Sequence, residues 1–326
     1  MSQKNIVRLL LISILTIFLS ACGSAAQTES QQSDNNSSDA EMLKVVATTG
    51  QITDAVKNIG GDAIDLTGMF GPGVDPHLYV PTEGDIGLLA EADVIFYNGL
   101  HLEAQMERAL DQMRSRGIEV VALGDVLPED QLLGWDSNFP HDPHIWNDPE
   151  LWSIGVEAVR DTLVEADPAN ADLYQENADN YLAEIAETHA YVKAQTEQIP
   201  ADKRIMITAH DAFGYFARTY GFEVAGLQGI STESEASTGD VQDIADFIVE
   251  RQIPAIFVES TVSSRNIEAV QAAVQAAGYE VAIGGQLYSD ALGDPGTAEG
   301  TYNGMLRHNI DTLVTALSQE LKQAMQ

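Results

Sequence analysis

Histidine and aspartate side chains stand at four places where a predicted strand gives way to a loop. They are His77, the pair His141 and His144, His210, and Asp290. Imidazole nitrogens suit zinc, iron and nickel, and a carboxylate also tolerates manganese. Open α/β sheets place their ligand sites at the carboxyl ends of their strands. If these loops converge, their chemistry is the binding of one first-row transition metal ion.

Three of these side chains also have an ordinary explanation when each is considered alone. His77 lies in MFGPGVDPHLYVPT, a loop from which glycine and proline exclude a helix, and a surface histidine fits there. His210 could cap or pack at a junction between a strand and a helix. Asp290 is one acid among 50 in the chain. Their spacing does not by itself make them converge.

The stretch HDPHIWNDPELW holds two histidines three positions apart. On a helix this spacing would let His141 and His144 face one ion, but Pro143 argues against a helix through the pair. The two rings therefore need not point the same way. The residues alone leave open whether either ring is a ligand.

The elements that position these residues alternate between strand and helix along the chain. Predicted strands in the first part are LKVVATT, AIDLTGMF, DVIFYNG and IEVVAL, and in the second part RIMIT, FEVAGL, AIFVES and YEVAIGG. Such alternation indicates βαβ units and parallel sheets. The sequence predicts an α/β fold with two similar lobes, each a parallel-sheet sandwich.

One long helix is predicted between the lobes. It begins near Asp167-Pro168 and runs without glycine or proline to about Gln198, or about 45 Å at 1.5 Å per residue. A preceding helix starts at Asp148-Pro149-Glu150, which supplies an N-cap, a proline and an acid. The predicted domains are an N-terminal lobe over 43–166, a linking helix over 167–199 and a C-terminal lobe over 200–326.

The N-terminus is typical of a secreted lipoprotein. Lys4 and Arg8 precede an apolar run too short to span a membrane comfortably, which predicts a signal peptide over 1–21. The run ends in LSAC, which resembles the bacterial lipobox, and Cys22 is the chain's one cysteine. We expect a lipidated Cys22 and a disordered tether over 22–42. The protein would then lie outside the cytoplasm, anchored to the cell membrane.

Composition excludes several classes of partner. The 326 residues contain 16 basic and 50 acidic side chains, a formal net charge of −34. Such a surface repels nucleic acid and anionic membranes and attracts cations. With 44% hydrophobic residues, the chain can form two lobes with real cores.

Six blocks resemble the cluster A-I solute-binding lipoproteins of zinc and manganese ABC importers. They occur in order as VDPHLYVPT, YNGLHLE, DPHIWNDPELW, TAHDAFGYFARTYGFEV, FVESTVSSR and GGQLYSDALGDPGTAEGTY. The resemblance covers most of residues 43–324. It implies a metal site in the cleft between the lobes, with ligands His77, His144, His210 and Asp290, and it excludes His141.

The resemblance also bears on nearby residues and on the metal. Glu259 matches a family acid near the site, a partner behind the ligands or through water, although an ion pair with Arg265 would also explain it. Manganese-specific members tend to have Glu where this chain has His210. Zinc-specific members carry a histidine-rich insert and lack the aspartate matched by Asp290. This chain resembles the members that accept Zn²⁺ and Mn²⁺, and Fe²⁺ is a further candidate.

The expected function is capture of a divalent ion and its delivery to a membrane permease with its ATPase. We expect a monomer without enzyme activity. An extracytoplasmic zinc hydrolase is the first alternative, but three histidines and an aspartate fill the position that catalytic zinc keeps for water. The chain also lacks an HExxH helix. An adhesin, or a binder of an organic solute, remains a further alternative.

Overall fold

The computed structural model describes residues 42–134 and 140–318. The predicted signal peptide, the acylation site at Cys22 and the tether lie outside the described residues. Within the described ranges, no helix combines the length and apolar character needed to cross a membrane.

The N-terminal lobe is a four-stranded parallel sheet with spatial order β2-β1-β3-β4. Its elements follow the predicted alternation: β1 Leu43–Ala47, α1 Gly50–Gly60, β2 Ile64–Gly68, α2 Glu83–Glu91, β3 Val94–Tyr97, α3 Glu107–Ser115 and β4 Glu119–Ala122. Thr82 begins α2 with a capping box, because its side chain and that of Asp85 each accept the other's backbone N–H. The loop before α2, which holds His77, therefore ends at a fixed point.

Two helices connect the lobes, α4 Pro149–Ala166 and α5 Ala171–Thr196. Asp148 is the N-cap of α4, as predicted, and accepts from the N–H groups of Glu150 and Leu151. The long helix is shorter than predicted, at 26 residues. A short 3₁₀ turn at Pro168–Asn170 replaces its first turn, since proline allows the chain to change direction there.

The C-terminal lobe repeats the order of the first. Its elements are β5 Ile205–His210, α6 Gly214–Tyr220, β6 Glu223–Gln228, α7 Thr238–Arg251, β7 Ala255–Glu259, α8 Ser264–Ala276, β8 Ala282–Leu287 and α9 Tyr302–Leu317. The strands form two parallel pairs, β5–β6 and β7–β8, with β5 and β7 adjacent. The stretch AHDAFGYFARTY predicts a helix from Ala209, whereas α6 begins at Gly214 because β5 extends through His210.

One hydrophobic core extends through both lobes. It contains side chains from both sets of strands and from helices α1, α4, α5, α6 and α9, and its largest members include Trp152 and Tyr302, whose rings stack 5.4 Å apart. Separate clusters lie under α2 and α3 and under α7 and α8. The described residues belong to one compact unit. The domain boundaries at 166 and 199 remain predictions within that unit.

Candidate metal site

Four predicted ligands meet between the lobes. His77 lies between β2 and α2, His144 lies shortly before α4, His210 ends β5, and Asp290 lies between β8 and α9. One ligand atom from each lies within 4.8 Å of all the others. The four residues are each 2% exposed or less, so the group is sealed from solvent. Residues from both lobes thus supply one buried site.

The His77 loop is fixed by a local turn. Gly73 has φ +72, a conformation that favours glycine, and its position faces the backbone of Ser260 across the cleft. Asp75 Oδ1 accepts the backbone N–H of His77 at 2.9 Å. This hydrogen bond between the Asp75 side chain and the backbone two residues later forms an Asx turn, which fixes the backbone that leads into His77.

His144 is oriented by the aspartate two residues before it. Asp142 Oδ1 accepts both the backbone N–H of His144, at 2.9 Å, and its Nδ1–H, at 2.7 Å. The hydroxyl of Tyr215 in α6 donates to the Asp142 carbonyl at 2.8 Å. With Nδ1 used in this way, Nε2 is left to face the site.

His210 is oriented by Glu259 at the end of the neighbouring strand β7. Glu259 accepts the backbone N–H of His210 at 2.8 Å and lies 2.5 Å from its Nδ1. The alternative ion pair with Arg265 is not found among the described residues. Adjacent parallel strands therefore bring a histidine and its supporting carboxylate together from positions 49 apart in sequence.

Asp290 belongs to the C-terminal lobe in sequence but is held by the N-terminal lobe. The carbonyl of Ser289 accepts from the indole Nε1 of Trp146 at 2.9 Å and from the amide of Gln51 at 3.3 Å. Both donors are fully buried. The backbone before Asp290 is thereby fixed against the segment that carries His144.

The spacing of the ligand atoms fits a metal ion. Asp290 carboxylate oxygens lie 3.2 Å from Nε2 of His210, 3.5 Å from Nε2 of His144 and 3.8 Å from Nε2 of His77. Bonds of 2.0–2.2 Å in a tetrahedral geometry put ligand atoms about 3.3–3.6 Å apart. The three Nε2 atoms and both Asp290 oxygens are buried and have no hydrogen-bond partner. Buried polar atoms are rarely left so, and a shared cation would satisfy all five.

Charge is distributed unevenly over the site. Burial lowers the pKa of His77 to about 3, so this ring is neutral. Burial also lowers the pKa of His210, but the charges of Glu259 and Asp290 outweigh it and hold that pKa well above its ordinary value. Burial opposes ionisation of Asp290, yet the histidines around it hold its pKa below the usual range. Without metal, a proton on His210 partly neutralises the site.

The remaining histidines lie outside the group. His141 pairs with Gly134 in an isolated antiparallel bridge. His101 Nδ1 lies 2.6 Å from Glu107, His189 Nδ1 lies 2.9 Å from the hydroxyl of Tyr220, and His308 contacts the Gln286 carbonyl. Their surroundings explain them as surface or packing residues.

Sequence reasoning missed the supports of the ligands more than the ligands themselves. The hydrogen bond between Asp142 and the His144 ring was not anticipated; a carboxylate two residues from a candidate ligand was the available signal. The roles of Gln51 and Trp146 had no local signal, because their common acceptor lies 238 and 143 positions away.

The fold and the site together define a class: a two-lobed α/β protein with a buried group of nitrogen and oxygen ligands of the kind that hold a transition metal ion. The family described as "ZnuA: Zinc-uptake complex component A periplasmic" matches residues 45–316. The chain belongs to this family, whose members are substrate-binding proteins for metal transport and not enzymes. The resemblance identified in the sequence is confirmed.

Individual relatives cover nearly the whole folded body. The zinc-binding protein TroA of Treponema pallidum (strain Nichols) is 49% identical over 275 residues, 84% of this chain and 89% of that protein. The manganese-binding lipoprotein MntA of Bacillus subtilis (strain 168) is 42% identical over 304 residues, 93% of this chain and 96% of that protein.

Solved structures support the fold. The periplasmic zinc-binding protein TroA from Treponema pallidum superposes with a TM-score of 0.83 at 48% identity, over 85% of this chain and all of that one. Fe(III)-bound YtgA from Chlamydia trachomatis gives 0.75 at 26% identity, over 84% of this chain and 98% of that one. These relatives are named for zinc, manganese and iron.

Proposed function

We propose that this chain captures one divalent transition metal ion, zinc or manganese, through His77, His144, His210 and Asp290, and delivers it to the permease of an ABC importer. The observation that carries the proposal is the set of five buried, unpartnered atoms, three Nε2 and two carboxylate oxygens, that face one point. Relatives named as zinc-binding and manganese-binding proteins support the same cargo.

The identity of the ligands sets an order of affinity. Three imidazoles and a carboxylate bind zinc more tightly than iron(II), and iron(II) more tightly than manganese, in the usual order for nitrogen and oxygen sites. Asp290 presents Oδ1 towards His144 and Oδ2 towards His77 and His210, so both oxygens can bind the ion. A second carboxylate oxygen favours the higher coordination number of manganese. The cargo in the cell then depends on which metal the surroundings supply.

The remaining parts of the proposal concern location and assembly. Cys22 would carry the lipid that anchors the chain outside the cytoplasm, and the tether over 22–42 would let the folded body reach the permease. The chain acts as a monomer and depends on the permease and its ATPase for transport. Relatives named as a manganese-binding lipoprotein and as a manganese ABC transporter substrate-binding lipoprotein support the anchor and the importer partners.

A metal titration tests the capture step. The purified protein is stripped with a chelator and titrated with zinc, manganese and iron(II), while the melting temperature and bound metal per chain are measured together. At 100 times its dissociation constant, an ion should add about 2.7 kcal/mol to the free energy of unfolding. We expect one ion per chain and a large rise in melting temperature, with both lost in His144→Ala. His141→Ala, three positions away, should behave as the wild type does. No shift with any of the metals would contradict the proposal.

A further inference from the structure

The metal site needs an opening that the cleft does not have. His77 and Asp290 are each 2% exposed, and His144 and His210 are not exposed at all. An ion that has to pass from solvent to these ligands, and later to a permease, cannot do so in this conformation. Some contact between the lobes must open and close during each cycle.

Contacts at the floor of the cleft are poorly suited to opening and closing in each cycle. Tyr215 in α6 donates to the Asp142 carbonyl at 2.8 Å, and Asn147 donates to the Ala212 carbonyl at 2.9 Å. Tyr215 and Asn147 are fully buried, and Tyr215 belongs to the core shared by the two lobes. Separating the lobes here would expose large apolar surfaces, at about 25 cal/mol for each Å².

At the rim of the cleft, polar side chains join the two lobes. Thr232, in the connection from β6 to α7, donates its hydroxyl to Asp75 Oδ2 at 2.7 Å. One residue further, Glu233 accepts from the amide of Gln105 at 3.0 Å. The Thr232 side is held in its own lobe, since Gln228 donates to the Ser234 carbonyl at 3.0 Å. Thr232 is 6% exposed, whereas Gln105 and Glu233 are exposed, so the hydrogen bond to Asp75 is the protected contact of the two.

Asp75 connects this rim contact to a ligand. Its Oδ1 accepts the backbone N–H of His77, while its Oδ2 accepts the hydroxyl of Thr232. One carboxylate therefore joins the His77 loop of the N-terminal lobe to the β6–α7 connection of the C-terminal lobe. The position of Gly73 beside the Ser260 backbone brings the same loop against a second C-terminal connection.

We propose that the hydrogen bond from Thr232 to Asp75 is the latch of the metal site, and that Asp75 is the positioning residue that couples this latch to His77. The inference rests on the proposed capture of a divalent ion. Breaking the bond lets the His77 loop and the β6–α7 connection part while the shared core and the other ligands stay in place. The latch controls how fast an ion passes in either direction, and only weakly how tightly it is held once bound.

Thr232→Val tests the latch, because valine keeps the volume of threonine and removes the hydroxyl. Asp75 keeps its hydrogen bond to His77 in this variant. Association and dissociation rates of zinc are measured by stopped flow against a chelating indicator, with the wild-type protein beside it. A hydrogen bond to a charged group is expected to slow opening by about tenfold. We therefore expect both rates to rise about tenfold and the dissociation constant to change by less than about threefold.

Two variants serve as controls. Thr232→Ser keeps the hydroxyl and should restore rates near those of the wild type. Gln105→Ala removes the exposed rim contact and should leave the rates unchanged. The melting temperature of each metal-free variant shows whether a change in rate reflects general loss of stability.

Two results would overturn the latch. Unchanged rates in Thr232→Val would show that opening does not pass through this bond. A faster dissociation alone, with a proportionally weaker dissociation constant, would show that the bond stabilises the bound state and controls no passage. If the wild-type protein bound no zinc, the proposed function would fail as well, and the two failures are distinguished by this first measurement.

Discussion

The two halves of the site supply two ligands each but differ in charge. The N-terminal half offers His77 and His144, and burial keeps His77 neutral by lowering its pKa to about 3. The C-terminal half offers His210 and Asp290, with Glu259 behind His210. Here the carboxylates hold the pKa of His210 well above its ordinary value against the effect of burial. His77 is therefore ready to donate to a metal ion, whereas His210 must first lose a proton.

The halves also differ in how they are held. Asp142 and His144 are two residues apart, so one loop supplies both the ligand and its support. His210 and Glu259 come from adjacent strands β5 and β7. Asp290 depends on Trp146 and Gln51 of the other lobe through the Ser289 carbonyl. The C-terminal half is thus assembled from contacts between distant positions. We therefore expect substitutions in this half to differ more widely in their effect on metal affinity than substitutions in the N-terminal half.

The largest effect is expected from the ligand that carries the charge. Asp290→Asn keeps the size of the side chain and one oxygen but removes the charge that faces the ion. We expect zinc affinity to fall by more than the roughly 100-fold that loss of an outer partner can cost. Competition with a chelator of known affinity measures it. A loss no greater than that of Glu259→Gln would remove the distinction between ligand and support.

An intermediate effect is expected from the carboxylates behind the histidines. Glu259→Gln should weaken zinc binding by about 10- to 100-fold, because it loosens the orientation of His210. Removal of the Glu259 charge also lowers the pKa of His210, so that protons compete less with the metal ion for this ring. The affinity of the variant should therefore depend less on pH. Isothermal titration at several pH values measures both.

Asp142→Asn is the matched control for this experiment. It alters the support of His144 and makes no contact with His210. Its affinity should fall within the same range of about 10- to 100-fold, while the part of the pH dependence that comes from His210 persists. Equal flattening in both variants would mean that the proton is not held on His210.

A smaller effect concerns the stability of the metal-free protein. The pKa of His210 is raised above its ordinary 6.5 in the folded state. Its contribution to stability is therefore fully present below that value and is lost as the pH rises through the folded pKa, at up to about 1.4 kcal/mol per pH unit. Metal binding depends on pH in the opposite direction, because the affinity for the ion increases as the pH rises. Melting temperatures from pH 6 to 9 with and without zinc should diverge; parallel curves would contradict this assignment.

The smallest effect is expected at the cross-lobe support of Asp290. Trp146→Phe removes the indole N–H that the Ser289 carbonyl accepts and leaves an aromatic ring in the core. The loss of about one hydrogen bond, about 1 kcal/mol, predicts a few-fold weaker zinc affinity. Equilibrium titration measures this change. An unchanged affinity would show that Gln51 and the core suffice to place Asp290.

Local signals explain which parts of the fold the sequence could predict. The alternation of apolar strands and helices and the Asp148-Pro149 helix start depend on neighbours in the chain, and each appears where it was expected. The start of α6 was predicted at Ala209 but lies at Gly214, because β5 keeps its backbone pairing through His210. Pairing with a distant strand decided that boundary.

The same distinction between local and distant contacts applies to the metal site. His77, His144, His210 and Asp290 were chosen from their residue types and from motifs in the order of a known family. Their convergence depends on the packing of two sheets around one core, which no short stretch specifies. The hydrogen bond from Thr232 to Asp75 joins positions 157 apart and leaves no trace in either loop. Contacts of this kind become visible only in the folded chain.

Diffraction from zinc-loaded crystals, measured on both sides of the zinc absorption edge, would show directly whether the four ligands hold one ion. We expect one anomalous peak per chain, about 2.0–2.2 Å from Nε2 of His77, His144 and His210 and from a carboxylate oxygen of Asp290. A peak at His141, or an occupied site that lacks one lobe's ligands, would contradict it.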